Sequence, residues 1–169
     1  MEEYIMTIDE GTTSARAVLF NKDSEIIAIC AKEFAQYYPQ PGWVEQDPKE
    51  IWLTTKEVIN RVVLQAGIDP RQIKAAGITN QRETVVVYDK NTGEPVYNAI
   101  GWADRRTAPY CDELKAAGKE QMFIDKTGLL IDGYFSGTEI KWILDNVPGA
   151  REKAEAGDFV LLQNEINMV

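Results

Sequence analysis

Tyr4-Ile5-Met6-Thr7-Ile8-Asp9-Glu10-Gly11-Thr12-Thr13-Ser14-Ala15-Arg16-Ala17-Val18-Leu19-Phe20 reads as a strand, a turn of small hydroxyl residues and a second strand. The first strand carries Asp9 to its end, and Gly11 permits close backbone approach. Thr12, Thr13 and Ser14 then offer three hydroxyls beside backbone N–H groups, and Arg16 adds a cationic fork. These are the parts of a phosphate grip. Asp9 suits a Mg²⁺ that bridges to nucleotide phosphates, since that ion is commonly held by one or two carboxylates plus waters. A Walker loop is excluded, because Gly-x-x-x-x-Gly-Lys-Ser/Thr is absent and the turn runs back into apolar residues instead of opening a helix. The same residues also fit a tight turn whose hydroxyls satisfy their own backbone.

Outward from this hairpin, residues 4 to 8, 16 to 20 and 25 to 34 read as three successive strands, a β-meander. Asp47-Pro48-Lys49-Glu50 is a helix start, with a capping side chain, proline at the first helical position and a glutamate three residues after the cap. Ile51, Val58, Val62 and Ala66 supply its apolar stripe, and Gly67 stops it. Residues 73 to 79 predict a buried strand, and residues 84 to 88 and 95 to 100 a hairpin turning at 90 to 93. Further helices are expected at 107 to 117, closed by Gly118, at 137 to 146, halted near Pro148, and at 150 to 156. The pattern belongs to an α/β layered domain, a mixed sheet with a meander and flanking helices.

The 169 residues suit a single domain with a substantial core. With 44% hydrophobic and 27% charged residues the chain is an ordinary soluble one, and disorder is not expected. A net charge of −9 argues against nucleic acid as a partner. Arg16, Arg82, Arg105 and Arg106 nevertheless cluster in the polar segments, so local positive potential fits within a negative whole. Cys30 and Cys111 have neither CxxC spacing nor a secreted framework, which fits a reducing, cytoplasmic compartment. The absence of histidine excludes His-based triads, metal sites and acid–base chemistry within the chain. No signal peptide or membrane span is expected.

Three polar clusters punctuate the elements. Asn80-Gln81-Arg82-Glu83 follows the strand at 73 to 79, at the carboxyl end where ligand clefts form. Arg82 and Glu83 offer donors and an acceptor side by side, as a polyhydroxyl substrate requires; a surface ion pair or strand cap is the plainer reading. In Gly101-Trp102-Ala103-Asp104-Arg105-Arg106, Trp102 is suited to covering the carbons of a polyol, or else is core, with Arg105 and Arg106 a solvated helix entry. Asp132-Gly133-Tyr134-Phe135-Ser136-Gly137-Thr138 is an aromatic loop before a helix.

Several of these segments together resemble one family. Ile8-Asp9-x-Gly-Thr-Thr-Ser14, Pro41-Gly-Trp-Val-Glu-Gln-Asp-Pro48, Gly77-Ile-Thr-Asn-Gln-Arg-Glu-Thr84, Asn98-Ala-Ile-x-Trp102 with Asp104-Arg-Arg-Thr107, and Tyr134-Phe-Ser-Gly-Thr138 are similar to the glycerol kinases of the sugar-kinase superfamily, in the same order and at similar spacing. The resemblance runs from about residue 3 to about residue 158 and implies an actin-like (ribonuclease H-like) fold. It implies ATP-dependent phosphorylation of glycerol to sn-glycerol 3-phosphate, with nucleotide and glycerol in a cleft between two actin-like domains. On this basis Thr12, Thr13, Ser14 and Arg16 contact nucleotide phosphates, and Asp9 helps to hold Mg²⁺. Arg82, Glu83, Trp102 and Tyr134 line the glycerol site.

Two departures stand out. Glu10 occupies a position where the family usually shows Gln, which places a second carboxylate beside Asp9, either strengthening metal binding or repelling the nucleotide. After Gly157-Asp158 the run Val160 to Val169 leaves the family's pattern, and family members are much longer. The resemblance therefore implies a single, incomplete N-terminal domain at 1–169, with the aspartate base, the adenine site and the second domain outside this chain. It leaves a homo-oligomer open for the complete enzyme. A kinase for another polyol or ketose, or a non-catalytic actin-like binding module, is the alternative reading.

Overall fold

The computed structural model describes residues 2–163. In chain order its elements are β1 (Tyr4–Glu10), β2 (Ser14–Asn21), β3 (Ile26–Glu33), β4 (Glu45–Gln46), α1 (Pro48–Ala66), β5 (Ile73–Thr79), β6 (Val85–Asp89) and β7 (Ala99–Ile100), followed by α2 (Ala108–Ala116), α3 (Glu120–Thr127), α4 (Ser136–Asn146), α5 (Ala150–Glu155) and β8 (Phe159–Gln163). They fall into two compact units, residues 2–36 with 47–81 and residues 37–46 with 82–163.

In the first unit the expected meander joins β5 in a sheet of order β3-β2-β1-β5, with β5 parallel to β1 and the other pairs antiparallel. Alternation sets its faces. Tyr4, Met6 and Ile8 of β1, Ala15, Ala17 and Leu19 of β2, and Ala28 and Cys30 of β3 pack with Val58 and Val62 of α1. Each fully buried valine contributes about 1.5–3 kcal/mol by leaving water. α1 starts and stops where its punctuation dictates. The Asp47 carboxylate accepts from the Lys49 N–H at 2.8 Å, Pro48 is the first helical residue, and Gly67 closes the helix at φ 65°. Glu50 does not complete a capping box; its carboxylate accepts from the Ala35 N–H at 3.2 Å.

β5 departs from the expectation of burial, with residues 74 to 79 all exposed. Its Ile-Ala-Gly composition reads as a covered strand. It is instead the outer strand of the sheet, paired only to β1 among the described residues, while α1 lies mainly over β2 and β3.

The second unit holds an antiparallel sheet of order β4-β7-β6-β8. β6 and β7 form the expected hairpin; at its turn the Asp89 carboxylate accepts from the backbone of Asn91 and Thr92 at 2.9 and 3.2 Å. Val85, Val87 and Ile100 pack with Ile143 of α4, and Tyr97, Trp142 and Phe159 surround them. The helices expected at 107 to 117, 137 to 146 and 150 to 156 are α2, α4 and α5. α3 and β8 were not expected. α3 buries no residue and its Lys119 N-cap makes no side-chain cap, so neither periodicity nor a start signal marks it. Residues 164–169 of the divergent tail lie outside the described residues. Cys30 and Cys111 are buried free thiols. Among the described residues no helix is long and apolar enough to cross a membrane.

Candidate functional site

The hairpin tip is built by register. Asp9 pairs with Arg16 and Glu10 with Ala15, and the Gly11 N–H donates to the Ser14 carbonyl at 2.9 Å to close the turn. A Cβ at position 11 would stand 3.3 Å from that carbonyl, which explains why the smallest residue is placed there. The turn is fastened from outside: Gln36 Nε2 donates to the Thr12 carbonyl at 3.1 Å and the Phe34 N–H to the Thr13 carbonyl at 3.2 Å. The hydroxyls of Thr13 and Ser14 take no partner among the described residues, so at these two positions the turn's hydroxyls are not spent on their own backbone.

Directly opposed residues of an antiparallel pair point to the same face. Asp9 and Arg16 therefore both leave the sheet on the side away from α1, since Ile8, Ala15 and Ala17 face the helix. Glu10 lies on the α1 side, where its carboxylate accepts from the Thr55 hydroxyl at 3.0 Å. The two adjacent carboxylates thus serve opposite faces. The Glu10 carboxylate is thus turned toward α1 and Asp9 toward the other face.

The second unit holds the other expected residues, of which Trp102 and Tyr134 meet. Arg82 is exposed and Glu83 half-buried, in a left-handed conformation at φ 65° that is uncommon for a residue with a Cβ. The Ser136 hydroxyl at the start of α4 donates to the Glu83 carbonyl at 3.3 Å. Trp102 is 39% exposed and hence not core; its backbone N–H donates to the hydroxyl of fully buried Thr84 at 3.4 Å. The Trp102 and Tyr134 rings meet edge to face with centroids 6.1 Å apart, and Phe135 supports Tyr134 at 5.2 Å. Asp132 fixes the aromatic loop, accepting from the Tyr134 N–H at 2.9 Å and from Arg105 at 3.0 Å.

Arg106 corrects the reading of a solvated helix entry: its side chain is fully buried. The guanidinium bonds Asp104 through Nε at 3.0 Å and Nη2 at 2.9 Å, and Glu45 through Nη2 at 2.8 Å. It lies 4.0 Å from the Trp43 ring centroid and 4.5 Å from that of Trp142, a cation set in the corner of two indoles that meet edge to face. Arg106 therefore adds no positive potential at the surface. Burial opposes its charge, but Asp104 and Glu45 outweigh this and raise its pKa. Burial likewise pushes the Glu45 carboxyl up, and hydrogen bonds from Tyr97, Asn98 and Arg106 outweigh it and hold it below the ordinary value. Glu45 and Glu139 were not singled out by pattern, because nothing local marks a charged residue as destined for the interior. Burial, with Asp104 adding to it, pushes Glu139 up to about 9.

The first unit carries a hydroxyl-rich turn at the tip of a hairpin within a mixed α/β sheet, and the second an aromatic pair next to a run of buried ionic contacts. Residues 4–168 match the N-terminal domain of the FGGY family of carbohydrate kinases, and the chain belongs to that family. The match continues past Gly157-Asp158, where the resemblance read from motifs ended. The chain is similar to a glycerol kinase of Carboxydothermus hydrogenoformans, 60% identical over 159 residues covering 94% of this chain and 32% of the relative. A glycerol kinase of Chromobacterium violaceum is 60% identical over 156 residues, 92% of this chain and 31% of that one. The crystal structure of Plasmodium falciparum glycerol kinase with ADP superposes at a TM-score of 0.87 and 31% identity, over 95% of this chain and 32% of its own. The fold is thus the expected actin-like, ribonuclease H-like one, and the chain spans about a third of the length of the relatives it matches.

Proposed function

We propose that this chain supplies the phosphate hairpin and the polyol wall of a glycerol kinase, an enzyme of ATP-dependent phosphorylation of glycerol to sn-glycerol 3-phosphate. The observation that carries the reading is the hairpin tip: a carboxylate and a guanidinium opposed on one sheet face, with the Thr13 and Ser14 hydroxyls uncommitted. Hard oxygen donors beside a cationic fork fit a magnesium nucleotide. Thr12, Thr13, Ser14 and Arg16 hold the phosphates, and Asp9 holds the metal. Mg²⁺, when bound, would neutralise charge on the phosphoryl oxygens, and the hairpin's donors would supply the positioning that phosphoryl transfer also requires.

In the second unit Arg82 donates to glycerol hydroxyls and Glu83 accepts from them, while the Trp102 and Tyr134 rings cover the carbons. The general base is assigned to a part of the longer enzyme outside this chain, as is the adenine site. Cytoplasmic location follows from the same reading. Calorimetric titration of the chain with glycerol and with magnesium ATP tests the binding, and a panel of polyols and ketoses tests the substrate. Tighter binding of a ketose than of glycerol overturns the substrate. Glycerol-dependent ADP release by this chain alone at about 1–100 s⁻¹, the usual kinase range, overturns the placement of the base.

A further inference from the structure

Three buried carboxyl groups lie in the field of one buried guanidinium, and only two of them use it. Asp104 accepts from Arg106 and also from the backbone N–H groups of Val44 and Arg106 at 2.6 and 2.7 Å. Glu45 accepts from Arg106, Tyr97 and Asn98. Glu139 is 0% exposed, and among the described residues neither of its carboxylate oxygens has a hydrogen-bond partner. The charged groups that bear on it are Asp104 and Arg106, from the segment between β7 and α2, and Glu83, from the segment before β6; Glu45 of β4 takes the same guanidinium. An ionised Glu139 is a buried charge without a donor, beside two negative neighbours. Its protonated form is only a buried polar group, at far smaller cost.

Ser136, Glu139 and Ile143 form the buried face of α4. Ser136 is the residue whose hydroxyl holds the carbonyl of left-handed Glu83, and such a backbone conformation persists only where its surroundings hold it. We propose that Glu139 is a positioning residue of the glycerol half-site: it serves as an uncharged acid beneath the first turns of α4, and loss of its proton displaces the Ser136 contact that fixes Glu83. The proton passes to solvent, and the new carboxylate draws water inward and repels Asp104 and Glu83, so the start of α4 moves. The glycerol part of this inference rests on the reading of Glu83 given above.

The test is an NMR titration of the 169-residue chain between about pH 6 and about pH 10, following the Glu139 side-chain carboxyl and the Glu83 and Ser136 amides. The expected result is one shared midpoint near the alkaline end, with the amide movements absent in Glu139→Gln. A carboxyl midpoint in the ordinary glutamate range overturns the proposal, as do amide movements that persist in Glu139→Gln. Should that variant fail to fold, the wild-type chain decides, because unequal midpoints for the carboxyl and the amides also overturn it. Absence of glycerol binding at neutral pH, with shared midpoints, removes the glycerol reading and leaves the Glu139–Glu83 coupling standing.

Discussion

Asp9 and Arg16 stand directly opposite one another across the β1–β2 pair, on the sheet face away from α1, and among the described residues no ion pair joins them. Opposite charges at this range usually meet. On the proposed function both are open to a ligand that carries both signs, such as a phosphate chain with its metal.

Replacing Arg16 by Ala is expected to weaken binding of magnesium ATP by roughly tenfold or more, a charge-assisted contact being worth about 1.5–3 kcal/mol. The thermal midpoint should stay within about 1 °C, because exposed positions with no partner contribute little to folding. Asp9→Asn should lose the magnesium dependence of nucleotide binding while retaining metal-free binding. Calorimetry with and without Mg²⁺ separates the two, and equal losses in both conditions would refute the metal role.

Glu10→Gln should be nearly silent in nucleotide binding, since position 10 serves the α1 face and an amide oxygen still accepts from Thr55. Thr55→Val should cost about 1–3 kcal/mol in urea unfolding by leaving a part-buried carboxylate oxygen without its donor. A strong effect of Glu10→Gln on magnesium affinity would show that the carboxylate reaches the other face.

Arg106→Met removes the cation shared by Asp104 and Glu45 and is expected to cost about 3–5 kcal/mol, because two buried carboxylates then lack their counter-charge. Urea denaturation measures this. A loss below about 1 kcal/mol would mean that the indole and backbone contacts carry the site without the ion pairs.

Stability should fall at both ends of the pH scale. The folded value of Glu45 lies below the ordinary 4.5, so its stabilisation is present above that value and is lost as pH falls through the folded one. Glu139 acts in the opposite sense: with a folded value of about 9 against an ordinary 4.5, its contribution is complete below 4.5 and is gone once pH has risen through 9. Urea midpoints measured across pH should show both limbs, and Glu139→Gln should flatten the alkaline one. An unchanged alkaline limb in that variant would assign it to other groups.

Much of the first unit was legible because its residues punctuate it. Asp47, Pro48 and Gly67 bound α1, alternation in Tyr4 to Ile8 gives β1 its faces, and the hydroxyl run from Thr12 to Ser14 marks the turn. The exposure of β5 is not legible in its composition, which reports what a strand is able to bury and is silent on whether a layer covers it. α3 escaped because Glu120 to Thr127 packs no residue inside and so carries no helical stripe. The candidate site residues came from local motifs, and their supports did not. Thr55 reaches Glu10 across 45 positions and Arg106 reaches Glu45 across 61, distances over which no local pattern carries information.

The outer edge of β5 has a practical corollary. A row of backbone N–H and C=O groups over Ile73–Thr79, unpaired on one side among the described residues and guarded by a single charged residue, Lys74, is a template for strand addition by another molecule. Concentrated solutions of this chain are therefore expected to associate edge to edge, and a second lysine or a proline at the exposed end of β5 is the substitution that would keep it monomeric on the bench.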